Sequence, residues 1–145
     1  MLHPLPRSER SHGFSLIEML LVLAIIGIVS GIAIPSYLGQ RRRARVIGDA
    51  ISNTKVLAMA LESRKAENGI YGAAATYEWD AAGTKTSGPL LLPAFTAAGN
   101  SKMYFQVIID ASGLTYTLTA FDPSISATTV AYKTDQSGKE LARLK

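Results

Sequence analysis

The chain has no cysteine, which removes disulfides, thiolate metal sites and thiol nucleophiles together. That absence does not identify a compartment, because an exported domain of this size folds without staples. Histidine is nearly missing as well. His3 and His12 both precede the long apolar run, so no histidine pair is left to hold a metal in the remainder of the chain. Charged residues make up only 18% against 48% hydrophobic ones, and the net charge of +4 comes mostly from one patch, Arg41, Arg42, Arg43 and Arg45. That patch is local, not a field on the scale of nucleic-acid wrapping. A length of 145 residues allows one ordinary domain and excludes two comfortable ones.

What is present is concentrated near the start. From Leu16 to Ile34 the chain reads LIEMLLVLAIIGIVSGIAI, with Glu18 as its only charge. The run of 19 residues is just long enough to span a bilayer as a helix. Residues 1–13 before it are polar, with two prolines and with Arg7, Glu9 and Arg10. A secretory signal would place small residues at a cleavage site after the apolar region. Ile34-Pro35-Ser36-Tyr37 stands there instead, so one reading is an uncleaved single-span anchor. Glu18 is then either an interfacial acid helped by the helix dipole or the mark of a partner, since charge at bilayer depth costs about 2.5–3.5 kcal/mol.

Gly13-Phe14-Ser15-Leu16-Ile17-Glu18 followed by such a run resembles the class III signal of type IV pilins and pseudopilins, and Gly27 and Pro35 fall at the family's spacings. The resemblance is specific over roughly residues 13–35 and architectural beyond. It implies that prepilin peptidase cuts between Gly13 and Phe14 on the cytoplasmic side, removing residues 1–13 as a leader, and that the new amino group of Phe14 is methylated. It also implies a homopolymeric filament, an inner-membrane assembly platform with a cytoplasmic ATPase, and a subunit held in the inner membrane before export. The assembled form would be an extracellular pilus or a periplasmic pseudopilus. No cofactor is implied and no enzyme site is evident.

The residues themselves carry a physical argument for this pattern. A glycine before the cut admits a protease close to the backbone. The amine freed on Phe14 needs a counter-charge in apolar surroundings, and Glu18 is the one carboxylate available. Between subunits such a pair sets axial stagger, because a buried pair adds little stability yet heavily penalises wrong registers. Pro35 removes a backbone donor and, with Gly27 and Gly31, makes this the softest stretch of the helix. That stretch reads as a segment that unwinds in the fibre, as a membrane-helix kink, or as a helix-dimer face. Four arginines follow the span and two precede it, so the charge count favours the orientation opposite to the one the resemblance implies.

Beyond the membrane-length helix of residues 14–36, the expected head covers 37–145. An amphipathic helix over 37–68 carries Val46, Ile47, Ala50, Ile51, Thr54, Leu57, Ala58 and Leu61 as its apolar stripe, with Arg45, Asp49, Ser52, Asn53, Lys55, Glu62 and Lys65 opposite. Asn68-Gly69 is its stop. Residues 69–102, rich in glycine and with Pro89 and Pro93, read as a connecting region with a helical turn near Leu90 to Thr96. Its Tyr71, Tyr77 and Trp79 serve either as binding aromatics or as covers for the helix or a sheet edge. Over 103–145, Met103–Asp110 and Leu114–Phe121 flank Ala111-Ser112-Gly113 as one hairpin. Thr128–Thr134 and Lys139–Leu144 flank Asp135-Gln136-Ser137-Gly138 as a second. Leu114, Tyr116, Leu118 and Ala120 are expected to face the helix, with Thr115, Thr117 and Thr119 outward. The fold class is α+β and pilin-like: one long helix against an antiparallel sheet of about four strands. Many pilins close the last loop with two cysteines, and this chain has none to do so.

The leading functional expectation is a structural pilus subunit supporting adhesion, motility or DNA uptake. The alternatives are a pseudopilin of a type II secretion system or a minor pilin, a DNA-binding pilin using Lys85, Lys102, Lys133, Lys139, Arg143 and Lys145, and an uncleaved anchored protein.

Overall fold

In a computed structural model of the chain, residues 13–80, 87–95, 103–125 and 128–144 are described. The chain divides into two units, Met1–Gln40 and Arg41–Lys145. A single helix, α1, runs Leu16–Asn68 and contributes to both. Within the first unit its apolar side chains are bare: from Leu16 to Ile34 the large ones are 47–77% exposed. This stretch is long and apolar enough to cross a membrane.

The second unit is the head. Val46, Ala50, Asn53, Thr54, Leu57 and Leu61 are the buried positions of α1, and they meet the inner face of a five-stranded sheet. The strands are β1 (Thr76–Trp79), β2 (Tyr104–Ile109), β3 (Tyr116–Phe121), β4 (Val130–Asp135) and β5 (Glu140–Arg143). Every neighbouring pair is antiparallel and the order follows the sequence, β1-β2-β3-β4-β5. Phe105, Val107 and Ile109 of β2 and Tyr116, Leu118 and Ala120 of β3 are buried on the face toward α1. Both expected hairpins form, and α1 stops at Gly69, whose φ of 81° no side-chain-bearing residue adopts easily.

Four expectations need correction. The region 69–102 is not free of strands: β1 adds a fifth strand, at the edge, where Glu78 pairs with Gln106. Four residues with an acid in the middle carry too little alternation to reveal it. The short helix α2 spans Ser87–Leu91, earlier than the turn expected near Leu90 to Thr96, because Pro89 lies in its first turn, where a missing N–H costs nothing. Thr96 lies outside the described residues.

Asn53, placed by polarity on the outer face of α1, is only 3% exposed. It follows Ala50 by three residues and precedes Leu57 by four, so helical geometry puts it in the buried stripe. Its amide is satisfied by donating to Asp49 O at 2.9 Å. Finally, Leu114 is exposed and outside the strand, while Thr119 is buried though its face points away from α1. The turn runs wider than expected, from Asp110 to Thr115, which bond to each other through Asp110 N and Thr115 O. Thr119 sits mid-sheet between the long side chains of its register partners, Gln106 and Lys133.

Tyr71, Tyr77 and Trp79 are covering residues. Tyr71 is 2% exposed. It packs edge-on against Tyr116 at 4.7 Å and donates its hydroxyl to Glu62 at 2.6 Å. Burial, and then the Glu62 carboxylate, push its phenol well above the usual range. Tyr71 N donates to Gly113 O at 2.9 Å. One residue thereby ties the end of α1 to the β2–β3 turn, a connection made without any cysteine.

Candidate assembly site

The segment that carries the amino-terminal motif starts outside the helix. Gly13, Phe14 and Ser15 have no regular structure and are exposed, Phe14 at 80%. Apart from its chain neighbours, no atom of the described residues lies within 4 Å of where a Cβ on Gly13 would stand. Among the described residues, nothing covers the Gly13–Phe14 peptide bond. The remainder of the expected leader, residues 1–12, lies outside the described residues.

Glu18 has a local partner as well as its expected role as a counter-charge. Its Oε2 accepts a hydrogen bond from Ser15 N at 2.8 Å, and Ser15 O accepts from Met19 N at 3.3 Å. Ser15 is therefore the residue that opens α1, and Glu18, three positions on, reaches back to satisfy its amide. This is the carboxylate half of a capping box, whose signature Ser-x-x-Glu is legible in the sequence. The acid sits exposed in the first turn of the helix, where the dipole favours it.

Gly27 and Gly31 lie one turn apart on α1, with open space at both Cβ positions. Bare backbone at that spacing lets another helix approach closely. Pro35 lies inside α1, which is assigned as helix on both sides of it. The helix is thus unbroken there, although Pro35 supplies no N–H to the carbonyl of Gly31.

Of the six basic residues of the DNA alternative, Lys133, Lys139 and Arg143 are described. Lys85, Lys102 and Lys145 lie outside the described residues. Lys133 is half-buried in β4, Lys139 is exposed beside the β4–β5 turn, and Arg143 is engaged with Glu140 at 3.6 Å. No group of three or more histidine, cysteine or acidic residues suited to a metal occurs among the described residues. A groove of about 480 Å³ lies between α1 and the β4–β5 turn, lined by Ala58, Met59, Tyr116 and Tyr132 among others. Its two acids are already used: Glu62 by Tyr71, and Asp135 by Ser137 and Lys139 of its own turn.

Comparison with known proteins bears on the amino-terminal segment. Residues 9–34 match the prokaryotic N-terminal methylation motif. A type IV major pilin protein of Myxococcus xanthus (strain DK1622) is 40% identical over 64 residues, covering 44% of this chain and 29% of the relative. Two fimbrial proteins of Pseudomonas aeruginosa are each 47% identical over 51 residues, covering 35% of this chain and 32% of theirs. The chain thus spans about a third of the length of the curated relatives it matches. No solved structure matches it significantly. The relatives are structural pilin and fimbrial proteins, not enzymes. Over its amino-terminal segment, which joins the methylation motif to an exposed apolar helix, this chain is similar to type IV pilin and fimbrial proteins.

Proposed function

We propose that the chain is the structural subunit of a type IV pilus. Prepilin peptidase removes residues 1–13, the freed amine of Phe14 is methylated, and subunits polymerise through the apolar half of α1. The observation that carries this reading is the pairing of an exposed Gly13–Phe14 bond with Glu18, the single acid in an otherwise uncovered apolar helix. Side chains 47–77% exposed over that length need cover, from lipid first and from neighbouring helices afterwards. Glu18 meets the Phe14 ammonium of a neighbour and sets the stagger, since any other register strands both charges in apolar surroundings.

Gly27, Gly31 and Pro35 supply the give that lets the helix adjust on leaving the membrane for the fibre. The inner-membrane platform and its ATPase belong to the same reading, as does an inner-membrane stage with the leader side in the cytoplasm. A pilus is preferred to a pseudopilus because the matched relatives are pilin and fimbrial proteins. Mass spectrometry of the membrane-extracted chain tests the proposal. The expected species starts at Phe14 and carries one added methyl group; a chain still starting at Met1 in cells that possess the peptidase overturns it.

A further inference from the structure

The arginine run is the feature that the filament reading leaves unused and, by charge count, opposes. Arg41, Arg42, Arg43 and Arg45 are all exposed. Arg42 Nη2 donates to Ser124 Oγ at 3.2 Å, and Arg43 has a partner of its own. Arg41 and Arg45 make no hydrogen bond or ion pair among the described residues. They stand one turn apart on α1, away from the side where Ala50 enters the core. Like charges at that spacing destabilise a helix, and Asp49, the next acid along it, forms no ion pair with either among the described residues. An anion shared between them would offset that cost.

The chain itself indicates which anion. Arg41 follows the last residue of the membrane-length run, Ile34, by seven residues, and long basic side chains so close to a span reach the level of lipid headgroups. Two guanidinium forks present paired donors that suit a phosphate better than ammonium groups do. We propose that Arg41 and Arg45 clamp the phosphate of an anionic phospholipid in the non-cytoplasmic leaflet, fixing the depth of the subunit before assembly. This rests on the membrane stage of the filament reading. It also resolves the charge conflict: arginines on the translocated side are tolerated because lipid phosphate neutralises them there.

The test uses the full chain reconstituted in bilayers of phosphatidylcholine with a minority of phosphatidylglycerol, released gently, with the retained lipid identified by mass spectrometry. Phosphatidylglycerol is expected to be enriched about threefold or more over the bulk bilayer, in keeping with two basic groups at the surface. Arg41→Gln with Arg45→Gln should return the ratio to bulk, and Arg41→Lys with Arg45→Lys should retain part of the enrichment. Lys133→Gln with Lys139→Gln, which removes equal charge elsewhere, should retain all of it. The proposal is overturned by bulk composition in the natural chain, by full enrichment in the Arg41→Gln/Arg45→Gln chain, or by equal loss in the lysine control. Displacement of the lipid by excess inorganic phosphate also overturns it, as that would mark a free-phosphate site. The assay needs neither peptidase nor filament, so its failure leaves the filament reading standing, and an uncleaved chain in cells leaves the lipid result standing.

Discussion

Glu18 Oε2 holds Ser15 N at 2.8 Å, and a glutamine at that position can make the same bond without the charge. The helix cap can therefore be separated from the proposed counter-charge by substitution. By sequence Glu18 stands out as a stranded charge, yet Ser15-x-x-Glu18 also spells a helix start. The motif is legible because it is local, needing no distant part of the fold to be recognised. If Glu18 acts chiefly as a cap, Glu18→Gln should assemble normally and only Glu18→Ala should fail, since losing a cap costs about 1 kcal/mol. If it acts as the counter-charge to Phe14, Gln should fail as fully as Ala. We expect the second outcome, with leader removal intact in both variants and filament yield at least tenfold lower by quantitative electron microscopy. Normal filament yield from Glu18→Gln would leave only the cap.

The two hairpins of the head share a turn that repeats along the chain, Asp110-Ala111-Ser112-Gly113 and Asp135-Gln136-Ser137-Gly138. In each the serine hydroxyl donates to the aspartate, and the glycine N–H donates to the aspartate carbonyl. Gly113 and Gly138 both adopt positive φ, 69° and 78°. Only the first is also crowded, by Gly72 O at 2.8 Å from where its Cβ would stand. Gly138→Ala should therefore cost about 1–2 kcal/mol from backbone handedness alone. Gly113→Ala should cost clearly more, because it also pushes the turn off the Tyr71 segment. Urea unfolding of the detergent-solubilised chain, read by its single tryptophan, Trp79, measures both.

Acid should act on the same turns. Hydrogen bonding from Ser137, then from the Lys139 and Ser137 amides, holds the Asp135 carboxyl below its ordinary value. A lowered folded value means the contribution is present above the ordinary carboxylate range and is lost as pH falls through the lowered one. Protection of the Ser137 and Lys139 amides, relative to their intrinsic exchange at each pH, should hold down past that range and fall below it; Asp135→Asn should show no such transition. These hairpins are readable because turn residues and alternation coincide. β1 and α2 are not, since four or five residues carry no period and their placement depends on packing against β2 and β1.

For the whole molecule, the chain joins a head that satisfies itself to an apolar helix that does not. The head closes by burying Phe105, Val107, Leu118 and Leu57, with Tyr71 as the tie, so the missing cysteines leave no gap in its logic. The apolar stretch is the easiest feature to read, because exposure over such a length is written in composition alone. What it would do in the proposed fibre depends on neighbours, and there Pro35 is the informative position. It lies inside a continuous helix without contributing a hydrogen bond, and replacing proline by alanine in a helix interior is worth about 3 kcal/mol. In Pro35→Ala the helix regains its bond to Gly31 and stiffens across the segment containing Gly27 and Gly31. Membrane insertion and leader removal make no demand on that softness and should be unchanged. Assembly does, if the helix must give way locally for neighbouring heads to pack. Filaments should then be fewer and shorter, with subunits accumulating in the membrane, as fractionation and electron microscopy would record. Filaments of normal number and length would mean that the proline is a tolerated kink, and that subunits pack around a helix that stays whole.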